Sequence, residues 1–366
     1  MLKHSSLYEV QKASGASFTG LFGWEIAESF TSMKEEYEAL RQAVGLLDCS
    51  QSGVIEVRGD DRTRFLHGML TNDIKKLQPG NGCYAGFLTP QGRLLGDMRV
   101  YCLEDSLLLT VEPSLRGKIS LSLGKYIIGN RPELTDRSED LSILSLQGRQ
   151  PSRLLEQLSP NFQPFAQFFD HQERDVLGMK VLVCQVPRLL NEGYDLIVPA
   201  NRLVDLWKSL LETGKGMGLF PVGFRALNLR RVEAGIPWYE FDMDEKTLPL
   251  EAGLEKNAIS LTKGCYIGQE SVARITYRGQ VQRKLAGLII AGDTLATKGD
   301  KVFKEEQEVG WVTTSVLSIA LHHPIALGYL RREVLEPGTA LWIEHSDTAL
   351  SATVATLPFI PGESVS

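Results

Sequence analysis

Residues 231–254 read RVEAGIPWYEFDMDEKTLPLEAGL, a segment that combines acidic and aromatic side chains at short intervals. Six acidic side chains in it are interleaved with the aromatic residues Trp238 and Tyr239. A run of charges is usually a solvated loop. Two Glu-Ala-Gly triplets and the buried character of the aromatic residues instead favour an ordered loop, which presents a few polar groups beside an aromatic wall.

On the C-terminal side of this segment, the pattern changes near residue 283. Short β-rich runs, among them KLAGLIIAG, QEVGWVTTSV and ALWIEH, follow one another with turn residues between them at even spacing. This pattern is typical of a small β-barrel or sandwich. We therefore expect two parts of the chain, residues 1–282 and residues 283–366.

On the N-terminal side, helices are mixed with alternating strands. Apolar residues recur every three or four positions over 33–47 and again over 61–74, which predicts two amphipathic helices. Residues 53–61 alternate like a strand, and a Pro-Gln-Gly turn at 90–92 joins two further strand-like runs into a hairpin. Because the regular strand–helix–strand rhythm of a parallel sheet is missing, the predicted class is α+β.

The composition is that of an ordinary globular protein, with 43% hydrophobic and 23% charged residues. At 366 residues, the chain is long enough for two or three domains. Its formal net charge is −6 and it has no dense run of Lys and Arg, which argues against sequence-independent nucleic-acid binding as the main role. We expect neither a secretory signal nor a membrane span, because no suitable apolar segment occurs.

The cysteines and histidines indicate no metal site. The five cysteines are Cys49, Cys83, Cys102, Cys184 and Cys265. They are odd in number, far apart and without a CxxC pair, which argues against a disulfide framework or a local zinc or iron–sulfur site. The predicted compartment is the reducing cytoplasm. His322 and His323 precede a proline and are predicted to lie in an exposed loop.

The segment 231–254 closely resembles a loop of the glycine-cleavage T-protein, an aminomethyltransferase that uses tetrahydrofolate. The resemblance covers nearly the whole chain: residues 37–73 are similar to the T-protein's N-terminal segment, and residues 308–361 contain stretches in the order of its C-terminal barrel. The octapeptide KGCYIGQE, residues 263–270, differs from the usual T-protein version. It matches the signature of the YgfZ family, folate-binding relatives of the T-protein linked to iron–sulfur protein maturation and repair.

The resemblance implies a GcvT-like α+β fold with three domains in a clover arrangement around a central folate cavity. Two mixed α+β subdomains with antiparallel sheets would occupy residues 1–282, and a small β-barrel would occupy residues 283–366. The implied cofactor is tetrahydrofolate or a substituted reduced folate.

The resemblance also implies roles for particular residues. The acid near the reacting folate corresponds to Asp97, whereas the acid that usually precedes it is replaced by Gly96. Arg231 is the implied partner of a pterin oxygen or of the folate carboxylates. The T-protein's pterin-binding glutamate falls on Asn191, and Glu192 beside it could supply the carboxylate if the loop shifts by one residue. Some T-proteins carry a tyrosine after the Pro-Phe-x-Pro stretch, and the ending GESVS lacks it.

The resemblance assigns four further residues to the site. Tyr84, Asn72 and Lys263 are assigned to cofactor binding, and Cys265 is assigned a catalytic role at the edge of the cavity. A short helix beginning near Ile267 would place Cys265 at or just before its N-terminus, where the helix dipole favours a thiolate. Lys263, Arg274 and Arg278 are the cations that could add to this effect. The alternative is a small buried hydrophobic residue in a glycine turn, which most free cysteines are.

Two functions follow from the resemblance. The first is a YgfZ-type folate-binding accessory protein that supports iron–sulfur protein assembly or repair, with iron–sulfur proteins or their assembly factors as partners. The second is a folate-dependent one-carbon transferase, either a glycine-cleavage aminomethyltransferase or a demethylase-like enzyme, in which Asp97 acts near the folate nitrogen. The cysteine signature favours the first function and Asp97 favours the second. Whether the protein turns over any substrate is left open.

Overall fold

The structure is a computed structural model that describes residues 2–127, 132–189 and 191–361. The side chain of Arg278 and the ending GESVS, both named above, lie outside the described residues. Within the described part of the chain, the helices are α1 (Tyr8–Ala13), α2 (Met33–Gln42), α3 (Arg62–Met69), α4 (Lys118–Gly124), α5 (Pro151–Leu158), α6 (Leu203–Gly214), α7 (Phe224–Glu233) and α8 (Gln269–Arg278).

The strands before the barrel are β1 (Lys3–His4), β2 (Ser17–Leu21), β3 (Trp24–Ser29), β4 (Val44–Asp48), β5 (Gly53–Arg58), β6 (Gly82–Leu88), β7 (Leu94–Cys102), β8 (Ser106–Val111), β9 (Glu133–Asp136), β10 (Leu141–Gly148), β11 (His171–Val176), β12 (Met179–Gln185), β13 (Gly193–Pro199) and β14 (Leu219–Pro221). The barrel strands are β15 (Arg283–Ile290), β16 (Lys301–Lys304), β17 (Gln307–Leu317), β18 (Pro324–Arg331), β19 (Ala340–His345) and β20 (Thr348–Ala355).

The chain divides into two compact units. The first contains Met1–Ala85 and Asp97–Asn228, and the second contains Gly86–Gly96 and Leu229–Ser364. A six-stranded sheet has the order β11-β12-β13-β10-β4-β14, and a five-stranded sheet has the order β6-β7-β8-β5-β9. Their pairings are antiparallel except for the parallel pair β14 and β4. The six-stranded sheet packs its apolar face against α5 and α6, with Trp207 fully buried between them.

The second unit contains a closed six-stranded barrel with the order β15-β18-β17-β16-β19-β20. Ala286, Leu288 and Ile290 of β15 point into one core, whereas Leu285 and Ile289 pack in a separate apolar cluster on the other side of the strand. This alternation is the period of two expected for a strand whose two faces contact different neighbours. The mixed α+β class and the C-terminal barrel predicted from the sequence are therefore confirmed.

Both predicted helices are longer than the observed ones: the helix predicted over 61–74 ends at Met69, and the helix predicted over 33–47 is wrong over its last third. The spacing of apolar residues predicts a helix over 33–47, but α2 ends at Gln42 and Val44–Asp48 form β4. Strand β4 is hydrogen-bonded to β10 on one side and to β14 on the other, and its first four residues are buried. Tertiary pairing therefore overrides the helical spacing of this short apolar run.

Candidate functional site

The first unit brings three of the predicted site residues together on and beside the β6–β7 hairpin. The hydroxyl of Tyr84 in β6 donates a hydrogen bond to Oδ2 of Asp97 in β7 at 2.5 Å. The side-chain amide of Asn72 donates to the main-chain oxygen of Tyr84 at 2.9 Å. Asp97 is buried, with 8% of its surface exposed. Asn72 thus holds the strand that carries Tyr84, and Tyr84 holds one oxygen of the carboxylate.

The second carboxylate oxygen of Asp97 is buried without a hydrogen-bond partner in the described part of the chain. Oδ1 is buried and has no hydrogen-bond partner among the residues that the structure describes. An unsatisfied buried acceptor costs free energy and calls for an explanation, such as a ligand that donates to it. Asp97 therefore has one oxygen fixed by Tyr84 and one oxygen that is unpaired within the described ranges.

Burial raises the pKa of Asp97 to about 6 from an ordinary value of 3.8. The hydrogen bond from Tyr84 opposes this rise, Glu112 adds to it, and Arg99 opposes it. Burial, followed by the charge of Asp97, raises the pKa of Tyr84 well above its ordinary value, so the phenol keeps its proton. At neutral pH the pair is a carboxylate that accepts from a neutral phenol. A carboxyl group with a pKa close to the working pH suits acid–base chemistry.

A buried charge network that the sequence analysis missed lies in the same unit. Arg188 forms a two-point contact with Asp195, with its Nε 2.9 Å from Oδ1 and its Nη2 2.7 Å from Oδ2. Oε1 of Glu112 lies 3.3 Å from Nη1 of Arg99 and 3.5 Å from Nη1 of Arg188. These four residues come from separate segments and form no local motif, so only the folded chain reveals the network. Through Glu112 and Arg99, it contributes to the charge environment of Asp97.

Asn191 and Glu192 lie just before β13, and Glu192 is already engaged. Its carboxylate accepts hydrogen bonds from the main-chain N–H of Ser152 at 3.2 Å, from the Ser152 hydroxyl, and from the Tyr194 hydroxyl at 3.1 Å. Ser152 is in the first turn of α5, where main-chain N–H groups lack partners within the helix. The Glu192 carboxylate therefore provides the hydrogen-bond acceptor for Ser152 at the start of α5. Asn191 is half-buried.

Arg231 lies at the end of α7 in the second unit and is completely buried. Its guanidinium donates to Oδ2 of Asp242 at 2.5 Å and to the main-chain oxygen of Ile236 at 3.0 Å. The rings of Trp238 and Phe241 stack on it, with centroids 5.0 and 5.2 Å from its central carbon. The segment 231–254 is thus an ordered loop beside an aromatic wall, as its composition predicts. In this arrangement, Arg231 organises the loop from within.

Residues 241–247 of this loop line part of a cleft of about 610 Å³ in the second unit. The guanidinium of Arg283 lies in its wall, stacked on Trp311 at 4.6 Å and on Tyr329 at 5.7 Å, measured to the ring centroids. Its Nε is 3.0 Å from a carboxylate oxygen of Glu251. None of the predicted site residues contributes to the lining of this cleft.

The octapeptide 263–270 also lies in the second unit. Cys265 is exposed, whereas the other four cysteines are buried or half-buried. Lys263 is buried, and its ammonium lies 4.8 Å from the centre of the Tyr266 ring. Helix α8 begins at Gln269, two residues later than the expected start near Ile267. Cys265 therefore precedes the first helical residue by four positions.

The start of α8 depends on Gly268, whose φ is 83°. A side chain there would bring its Cβ to 2.6 Å from the main-chain oxygen of Thr89, in the turn between β6 and β7. This close approach and the positive φ together require glycine. The presence of glycine at position 268 of the octapeptide is therefore explained by the local structure, independently of any role of Cys265.

No group of three or more His, Cys, Asp or Glu side chains in the described ranges is arranged to hold a metal ion. His322 and His323 are exposed, as predicted. None of the helices formed by the described residues is long and apolar enough to cross a membrane.

The fold and the Asp97 site define a class: an α+β protein with a closed six-stranded C-terminal barrel and a buried carboxylate that has one oxygen unpaired among the described residues. Family models match both parts of this fold. The model described as the GCVT N-terminal domain matches residues 7–263, and the model described as the glycine cleavage T-protein C-terminal barrel domain matches residues 283–360. The chain belongs to the glycine cleavage T-protein family. This family uses tetrahydrofolate.

Individual relatives match over their whole length. The chain is 30% identical to the aminomethyltransferase of Halothermothrix orenii, over 98% of this chain and 100% of the relative. It is 32% identical to the aminomethyltransferase of a Geobacillus species, over 98% and 99%. Among solved structures, the glycine cleavage system aminomethyltransferase T of Bartonella henselae superposes with a TM-score of 0.89 over 98% of both chains. That chain is 23% identical in sequence and supports the fold alone.

Proposed function

We propose that the protein binds a reduced folate at Asp97 and acts as a folate-dependent one-carbon transferase of the T-protein type. The observation that carries the proposal is the buried Asp97 carboxylate, held at Oδ2 by Tyr84 and open at Oδ1. The relatives named aminomethyltransferase support this function over the iron–sulfur accessory role that the octapeptide favours. The division of the chain at residues 282 and 283 remains part of the proposal, supported by the start of the barrel at Arg283.

The acceptor chemistry of Asp97 suits a folate. A pterin ring carries N–H groups, and an open buried carboxylate oxygen is the complement of such a donor. Tetrahydrofolate, when bound, supplies the nitrogen atoms that take up a one-carbon unit. Asp97 would accept a hydrogen bond at Oδ1 and stabilise positive charge near it, in a site from which burial excludes water. Tyr84 would keep the carboxylate oriented, and Asn72 would keep the Tyr84 strand in place. Asn191, Glu192 and Lys263 remain proposed for cofactor binding. Arg231 is completely buried against Asp242, and its proposed part is to order the segment 231–254.

The pKa of Asp97 sets the pH dependence of this site. Above about pH 6 the carboxyl group is ionised and accepts from a donor at both oxygens. Below that pH the bound proton competes with the ligand, and affinity for the folate should fall. Titration calorimetry with tetrahydrofolate at pH 7.5 and pH 5.0 measures this dependence.

Two variants sharpen the experiment. Asp97→Asn keeps the shape of the side chain but removes the charge, and it should lower folate affinity at pH 7.5 and abolish the difference between the two pH values. Asp60→Asn, at an exposed acid of the same unit, is the matched control and should bind as the wild type does. Wild-type binding that is absent, or that does not change with pH, contradicts the proposal.

Transferase activity needs its own assay. With aminomethylated lipoyl carrier protein and tetrahydrofolate, the protein should form methylenetetrahydrofolate. The Asp97→Asn variant should lose most of this activity. Folate binding without any turnover would overturn the transferase and leave only the folate site.

A second candidate function is supported by Cys265. It lies in KGCYIGQE, which matches the YgfZ signature, and it is exposed. An exposed thiol is open to a protein partner, as an accessory role in iron–sulfur protein assembly or repair requires. The test is the activity of an iron–sulfur enzyme in cells that lack the chain's gene, complemented by the wild type or by Cys265→Ser. Restoration by the wild type alone supports this function, whereas equal restoration by both argues against a role for the thiol.

A further inference from the structure

Phe169 has a main-chain conformation that a bulky residue rarely adopts. Its φ is 69°, in the left-handed region. A large L-residue is an outlier there, and it persists only where surrounding contacts fix it. Such outliers cluster at functional sites, so the contacts that hold Phe169 and the group that its ring touches are informative.

The strained conformation is held by its neighbours in the first unit. The main-chain N–H of Phe169 donates to the main-chain oxygen of Gln185 at 2.8 Å. Its own oxygen lies 3.2 Å from Nδ1 of the buried His171. The same oxygen occupies the space beside Gly82 in β6, where a Cβ would lie only 2.5 Å from it. The backbone of Phe169 is thus pressed against the strand that carries Tyr84.

This conformation directs the ring of Phe169 onto the ring of Tyr84. The two rings are nearly parallel, with an interplanar angle of 15° and centroids 6.3 Å apart. Offset stacking at this separation is attractive. Tyr84 is therefore fixed at three points: its main-chain oxygen by Asn72, its hydroxyl by Asp97, and its ring by Phe169.

We infer that Phe169 is a positioning residue, whose ring fixes Tyr84 so that the phenol holds one oxygen of Asp97 and leaves the other open to a ligand. The inference rests on the proposed function only where it concerns folate, because the contacts themselves are present without a ligand. Strain at Phe169 is the cost of this pre-organisation, and stability and binding should respond to its removal in opposite directions.

Phe169→Asn separates these two effects. Asparagine tolerates the left-handed region but lacks the ring. The variant should therefore unfold at the same temperature as the wild type or a higher one, while its Kd for tetrahydrofolate rises about 3- to 10-fold, the range expected for loss of one aromatic pair. Phe169→Tyr keeps the ring and should restore the wild-type Kd. Phe168→Asn, at the neighbouring phenylalanine with 41% of its surface exposed, is the control and should leave the Kd unchanged.

A ligand-free measurement makes the inference independent of the proposed function. The carboxyl carbon of Asp97, labelled with ¹³C and assigned with Asp97→Asn, is titrated by NMR in the wild type and in Phe169→Leu. Leucine keeps the site apolar but loses the flat ring, so Tyr84 should donate less well and Asp97 should titrate at a higher pH than in the wild type. This result supports the inference even if the wild type binds no folate, an outcome that refutes only the proposed function.

Two results overturn the inference. One is an unchanged titration of Asp97 in Phe169→Leu. The other is a loss of stability in Phe169→Asn that accompanies the loss of affinity, without rescue by Phe169→Tyr, because a purely structural residue would behave in this way.

Discussion

Asp97→Asn should make the protein more stable at pH 8 while it weakens the proposed folate site. The folded chain holds the Asp97 carboxylate in a buried position, where its pKa rises from 3.8 to about 6. Each tenfold change in proton affinity corresponds to about 1.4 kcal/mol, so ionised Asp97 costs the folded state about 3 kcal/mol at a pH above both values. Asparagine has nearly the same shape, and its oxygen can still accept from Tyr84. The free energy of unfolding should therefore rise by about 1–3 kcal/mol.

The sign of the pH dependence follows from the same shift. Between pH 3.8 and about 6, the folded wild type binds more protons than the unfolded chain, so its stability falls as the pH rises through this window. The asparagine variant has no such dependence at this position. The difference in stability between the two proteins should therefore be small near pH 4, grow up to about pH 6, and stay constant above it.

Urea denaturation followed by tryptophan fluorescence at pH 5 and pH 8 measures this difference. Asp60→Asn, at an exposed acid in the first unit, is the matched control and should change stability by less than about 0.5 kcal/mol at either pH. A variant of Asp97 that is less stable than the wild type at pH 8 would refute the reasoning. So would a stabilisation of equal size at both pH values, because it would have a cause other than the buried charge.

Three further predictions concern the second unit. Arg231→Met leaves the buried Asp242 without its cation, and the free energy of unfolding should fall by about 3–5 kcal/mol in urea denaturation. Iodoacetamide at neutral pH should modify Cys265 before the other four cysteines, because it is the exposed thiol, as read by peptide mass mapping. Gly268→Ala should lower thermal stability by more than the 1–2 kcal/mol or so expected for a positive φ alone, because its Cβ would meet the oxygen of Thr89.

Two of these predictions have a matched control variant within the chain, and the third has an outcome that would contradict it. Arg332→Met replaces an exposed arginine and should change stability little, so similar effects at Arg231 and Arg332 would contradict the importance of burial. Gly299→Ala shares the positive φ of Gly268, but nothing lies within 4 Å of its Cβ, so equal losses at the two glycines would exclude the contact with Thr89. Modification of Cys265 only after denaturation would contradict its exposure.

Local sequence patterns predict much of the architecture. Alternating apolar residues from residue 283 onward predict strands with two different faces, and the barrel places Leu288 and Ile289 on opposite sides of β15 accordingly. The composition of 231–254 predicts an ordered loop with an aromatic wall, and Trp238 and Phe241 form that wall around Arg231. These predictions succeed because a period of two and an enrichment in aromatic residues are properties of short segments.

Only the tertiary structure decided the rest, because it depends on residues that are distant in sequence. Val44–Asp48 is a strand since β10 and β14 pair with it, although its own spacing continues a helix. Asp97 could be singled out by resemblance, but its raised pKa arises from burial, which no local pattern reports. Likewise, Arg231 stabilises the segment 231–254 from inside, because folding brings Asp242 into contact with it and removes both charges from water. Pairing and desolvation are properties of the folded chain, and they determine which of the predicted side chains remain open to a ligand.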